Sequence, residues 1–117
     1  MVYIDGFLIP VFAETTRDAY KAFADKAVPI FKDYGATRVV EAWGDDVPEG
    51  KVTDFRRAVQ AKDGEAIVFA WVEWPDKATR DAGMKKVAED TRMSPNDPMP
   101  FDGRRMIYGG FQGIIDA

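Results

Sequence analysis

Apolar side chains alternate with a period of two along four stretches of the chain and recur at helical spacing along two others. Val2–Phe12 is apolar on both alternating faces, with Val2, Ile4 and Leu8 on one and Tyr3, Phe7 and Ile9 on the other. A strand covered on one side only shows a polar face, so this one is predicted to be buried on both. Pro10 lacks an amide donor and places the end of that strand at an edge or a bulge. Thr15 or Thr16 then offers a helix cap, and Tyr20, Phe23, Ala24, Ala27, Phe31 and Tyr34 form one apolar stripe. Pro29 should kink the last turn, and Gly35 closes the helix. Ala36–Trp43 reads as a second strand, followed by a loop over Gly44–Gly50. Thr53–Ala61 extends a strand or forms a short helix, and Lys62-Asp63-Gly64-Glu65 supplies a turn.

Ala66–Trp74 carries the strongest alternation. Ala66, Val68, Ala70 and Val72 make a small apolar face, and Ile67, Phe69, Trp71 and Glu73 a bulkier one. Pro75 ends it and Asp76 caps a second helix, whose buried stripe continues through Met84, Val87 and Ala88. Met93–Asp102 holds three prolines and is a loop, and Arg104–Ile115 is a last strand. The order strand, helix, strand pair, helix, strand predicts an α+β chain of the ferredoxin-like, split β-α-β kind. It has a four-stranded antiparallel sheet with two helices on one face. At 117 residues it is expected to be a single domain over 1–117.

Two helices cover one face only. The other is expected to carry Tyr3, Phe7, Val39, Trp43, Phe69, Trp71, Met106 and Tyr108, an apolar patch too large to leave in water. A two-fold homodimer, with two such sheets closing face to face into a barrel, would bury it.

Composition removes chemistry more than it supplies it. The chain has no cysteine and no histidine, which excludes thiolate nucleophiles, zinc-thiolate sites, iron–sulfur clusters and a histidine haem ligand. Ser94 is the only serine and has no histidine to activate it. The net charge of -4, with no basic run longer than a pair, argues against nucleic acid as a partner. The apolar first residues contain Asp5 and Pro10 and lack a basic leader, so neither a signal peptide nor a membrane span is expected, and the chain reads as cytoplasmic. Asp45-Asp46-x-x-Glu49 lacks the calcium-loop pattern, so neither a metal nor any other cofactor is expected.

Three acids, Asp5, Glu41 and Glu73, are expected on the same strand face as Tyr3, Phe7, Trp43, Phe69, Trp71 and Tyr108. A carboxyl among aromatic walls has a raised pKa and can serve as general acid or base. The bland alternative pairs each acid with an arginine such as Arg38, Arg56, Arg57 or Arg105. Gly103-Arg104-Arg105 and Arg56-Arg57 could instead hold a carboxylate or phosphate through paired donors, and Arg105 is expected in the ligand pocket. Met99 and Phe101 are expected to cover the pocket or a partner subunit. Two function classes follow. One is a small cofactor-free enzyme of the oxygenase or isomerase kind, acting in an aromatic and acidic pocket. The other is a non-catalytic ligand-binding or stress-response dimer whose inner sheet face is mainly interface core.

Six segments carry a family resemblance: Tyr3-x-Asp5-Gly6-Phe7, the long run Val40-Glu41-x-Trp43-Gly44-Asp45-Asp46-Val47-Pro48-x-Gly50-Lys51-Val52-Thr53-Asp54-Phe55, Trp71-x-Glu73-Trp74-Pro75, Arg80-Asp81-Ala82, Met99-Pro100-Phe101-Asp102-Gly103 and Arg105-Met106-Ile107-Tyr108-Gly109-Gly110-Phe111. With these the chain resembles the YbaA-like family, domain of unknown function 1428. The resemblance implies the dimeric α/β-barrel superfamily, which includes cofactor-free monooxygenases, haem-degrading enzymes, lactone isomerases and stress-response proteins. It implies no catalytic residues, because the family has no established activity.

Overall fold

The computed structural model of the chain describes residues 1–93 and 98–117. Ser94 and Pro95, placed above in the loop before the last strand, lie outside them. The elements are β1 (Tyr3–Val11), α1 (Arg17–Asp33), β2 (Arg38–Trp43), α2 (Phe55–Ala58), β3 (Ala66–Trp74), α3 (Lys77–Glu89), a 3-10 turn (Thr91–Met93) and β4 (Ile107–Gln112). The strands form one antiparallel sheet in the order β2-β3-β1-β4, which fits the split β-α-β arrangement.

Local chemistry accounts for most boundaries. Thr16 caps α1 by accepting from the Ala19 amide, and Asp76 caps α3 by accepting from the Thr79 amide. α1 runs through Pro29 to Asp33, then stops at Gly35, whose φ of 109° suits glycine. Pro10 sits where β4 has already ended, since the last β1–β4 pair is Leu8 with Ile107. Its carbonyl accepts from Asp102 beyond that strand, so its missing donor costs the ladder nothing. Of the two readings of 53–61 the helical one holds. Asp54 accepts from the amide of Arg57 and starts the single turn of α2.

The register decides which side chains share a face, because residues directly opposite one another point the same way. Asp5 and Val39 both lie opposite Val72, and Phe7 and Glu41 both lie opposite Ala70. Tyr3, Asp5, Phe7, Val39, Glu41 and Trp43 therefore share a face with the small residues of β3. α1 and α3 cover that face, through Tyr20 against Trp43 and Gly83 against Trp74. Phe69, Trp71 and Glu73 point to the opposite, open face. This corrects the single shared face expected for all three acids and their aromatic neighbours. Alternation groups residues within a strand, but a slip of one position in pairing exchanges the faces of its neighbour.

The open face carries Ile4, Leu8, Phe69, Trp71, Ile107 and Phe111. α2 and the residue after it cover one end, where Val59 packs on Leu8 and Ile67. Tyr108 lies on the helix side of β4 at the sheet edge, 74% exposed and stacked on Phe7 at 6.4 Å.

Trp74 is wholly buried and forms the seat of α3. The buried residues of α3 are Gly83 and Val87, whereas Ala88 is exposed. A methyl group at position 83 would fall 2.5 Å from the Trp74 ring and 2.6 Å from the Tyr34 carbonyl oxygen. Gly83→Ala should therefore destabilise the fold by about 1–2 kcal/mol, although alanine gains about 1 kcal/mol of helix propensity. Urea unfolding measures this, and a stabilised variant would show that α3 is free to shift.

Candidate functional site

A cavity of about 290 Å³ lies between α1 and the sheet. It exists because β3 presents Val68, Ala70 and Val72 towards the helix. Side chains this small cannot fill the gap beneath a stripe that includes Ala24 and Ala27. Its walls include Phe7, Tyr20, Phe23, Phe31 and Phe101, together with Met93, Met99 and Met106. Phe101 is buried and meets Phe23 edge-on at 5.8 Å. Met99 and Phe101 thus line this cavity on the helix side of the sheet, whereas the pocket they were expected to cover lay on the face away from the helices.

The polar groups at its inner wall are Tyr20 and Glu41. The Tyr20 hydroxyl donates to both Glu41 carboxylate oxygens, at 3.3 and 3.2 Å. Glu41 stands on the edge strand and is exposed as a residue, but its carboxyl turns under α1. Burial pushes its pKa up, against the opposing pull of the Tyr20 hydroxyl. Burial, and then the Glu41 charge, push the Tyr20 phenol far above its ordinary value, so Tyr20 remains a donor. The same pair also borders a second cavity of about 340 Å³ between α1 and β2, lined by Arg17, Lys21 and Trp43 among others.

The other expected acids are engaged elsewhere. Asp5 is 4% exposed and accepts from the Trp74 indole at 2.9 Å. Arg80 reaches it through Nε at 3.1 Å and Nη2 at 2.7 Å, and lies 5.1 Å from the centre of the Tyr3 ring. Glu73, on the open face, accepts from the Trp71 indole at 2.8 Å and faces Arg38 at 3.5 Å. Arg105 is closed to an outside anion by its own partners, Glu65 at 2.7 and 2.8 Å and Asp102 at 2.7 Å. Arg56 donates to the backbone carbonyls of Glu65 and Lys62. The bland pairing reading therefore holds for Asp5 and Glu73, with Arg80 as the partner the sequence did not single out.

Of the expected site residues, Phe7, Glu41 and Trp71 border the cavity, Trp71 from a strand position whose side chain the register turns to the open face. The aromatic ring of Trp43 borders the second cavity, while Tyr3, Phe69, Tyr108 and Arg105 lie outside the first. Tyr20 was legible as a stripe residue but not as a site residue. Its one sequence signal is that a tyrosine on a buried helical stripe needs a partner for its hydroxyl.

Among the described residues, no three acidic side chains gather as a metal site. No helix among them is long and apolar enough to cross a membrane.

The fold and these residues belong to a family whose members share no known reaction. The family described as "Protein of unknown function (DUF1428)" matches residues 2–103, and the chain is a member of it. The uncharacterized protein YbaA of Escherichia coli strain K12 is 55% identical over 117 residues, covering 99% of each chain. The YbaA of Shigella flexneri matches to the same extent.

Proposed function

We propose that this chain binds a small, mainly apolar organic molecule in the cavity beneath α1 and acts on it by proton transfer through Glu41. The observation that carries the reading is a single carboxyl, its pKa raised by burial, on the wall of a mainly apolar and aromatic cavity. Such a carboxyl exchanges protons closer to neutral pH than a solvated one. Removal of an acidic C–H or O–H proton is the opening step of cofactor-free isomerases and oxygenases, and this reading calls for no bound cofactor. Native mass spectrometry on untagged, gently purified protein tests it. A reproducible adduct is expected, and Ala27→Phe, which fills the cavity from α1, should abolish it. Bare protein in both cases, with a melting midpoint unmoved by small apolar compounds, would sink the reading.

The alternative is a non-catalytic ligand-binding or stress-response dimer. Its supporting observation is the open sheet face, where Phe55, Phe69, Ile107 and Phe111 are 47%, 48%, 48% and 62% exposed. A second copy suits this face chemically, since Arg38 and Glu73 stand side by side on it and a two-fold mate would offer each the opposite charge. We propose accordingly a cytoplasmic homodimer whose sheets close face to face into a barrel. Light scattering on the wild type should give twice the 13.1 kDa chain mass. Phe69→Glu should shift it towards the monomer by burying a charge in that interface. A wild type that stays monomeric at tens of micromolar would leave the face without this cover.

A further inference from the structure

The cavity beneath α1 also restricts what can occupy it, if the reading above is right that it holds a ligand. Its volume of about 290 Å³ is roughly twice the ~150 Å³ of an engineered apolar cavity that takes benzene. Five aromatic rings line it, and the three methionine sulfurs beside them favour contact with an arene over an alkyl chain. Its ionic character is nearly spent. Arg92 reaches the wall, but its charge is already matched, with three of its five N–H groups on Asp33 at 3.1 Å and on Asp90 at 2.8 and 3.0 Å. A carboxylate ligand would find only the solvent-exposed Lys26.

What the wall does offer is an acceptor. A strong hydroxyl–carboxylate bond is about 2.5–2.7 Å long, whereas Tyr20 stands 3.2 and 3.3 Å from the two oxygens of Glu41. A carboxylate has about four lone-pair sites, and one long, shared donor leaves most of them open. The Tyr20 hydrogen is already directed at Glu41, so the pair accepts and has little to donate.

We propose that the ligand is an uncharged hydroxyarene of about two fused rings, its rings between Phe7, Phe23, Phe31 and Phe101 and its hydroxyl donating to Glu41. The probes are 2-naphthol, naphthalene and 2-naphthoate, titrated into wild type and Glu41→Gln at pH 7 by calorimetry and by 2-naphthol fluorescence. 2-Naphthol should bind at least about 10-fold more tightly than naphthalene, the value of a hydrogen bond to a charged group. Glu41→Gln should erase most of that margin while its melting midpoint stays near that of the wild type. The bound 2-naphthol should also gain naphtholate emission in wild type and lose it in the variant. Equal binding of 2-naphthol and naphthalene, unchanged by Glu41→Gln, would overturn the proposal and leave the cavity reading standing. So would tighter binding of 2-naphthoate than of 2-naphthol. Failure of all three probes to bind would overturn both.

Discussion

Replacing Arg80 with Met is expected to cost the fold about 3–5 kcal/mol, the usual result of removing one partner from a buried ion pair. The side chains of Asp5 and Arg80 are 5% and 24% exposed, and the guanidinium engages the carboxylate through two nitrogens. Without Arg80, the Asp5 carboxylate keeps the Trp74 indole as its side-chain donor, and water reaches it poorly. The loss is a desolvation penalty, so it should shrink when the charge is removed as well. Asp5→Asn combined with Arg80→Met should be more stable than Arg80→Met alone, since an amide at position 5 still accepts from Trp74. Urea unfolding of the four proteins in the cycle measures the coupling. Additive effects would mean that the pair is a surface contact of the ordinary weak kind.

Glu65→Gln is expected to cost about 2 kcal/mol at pH 7 and almost nothing near pH 2. The Glu65 side chain is 4% exposed and bonded to Arg105 through both oxygens, with the Lys62 amide as a further donor. The Arg105 guanidinium, first among these, holds its pKa down from the ordinary 4.5 to about 2. A lowered carboxyl pKa stabilises the fold where the group is ionised in both states, above 4.5. That stability is lost as the pH falls from 4.5 towards 2, because the unfolded chain takes up the proton first. At 1.36 kcal/mol for each pH unit the difference is about 3 kcal/mol, and solvent at the flank of the pair trims it to about 2 kcal/mol. Unfolding of the wild type should therefore show a steeper acid limb between pH 4.5 and 2 than the glutamine variant, whose remaining limb comes from other hydrogen-bonded carboxylates such as Asp54, Asp76 and Asp102. Parallel pH profiles would place the stabilisation elsewhere.

These two pairs also mark how far the amino-acid order could be read. Arg105 was legible as a candidate anion site because its neighbours in the chain are glycine and another arginine. Its real partner Glu65 is 40 positions away, and only the fold brings it within 2.7 Å. Arg80 carried no chemical signal beyond its place in a helix and in the Arg80-Asp81-Ala82 segment of the family resemblance. Tyr20 showed as part of a stripe, and Glu41 as an acid in a strand. That the two meet across 21 positions and stand beside a cavity depends on how α1 crosses β2 and β3.

The strands, the two long helices, a threonine cap at Thr15 or Thr16, the cap at Asp76 and the stop at Gly35 were determined by the sequence alone. Side-chain period, cap chemistry and backbone freedom act over a few neighbouring residues, so a short window contains their causes. The tertiary structure alone decided which face each strand turns to the helices. Asp5 went with Trp74 and Arg80, Glu41 with Tyr20, and Glu73 to the open side. Pairing register is a relation between strands dozens of residues apart, and one step of it reverses every assignment. The cavity belongs to the same level: a row of small residues becomes a void only when a helix that cannot fill it is laid across.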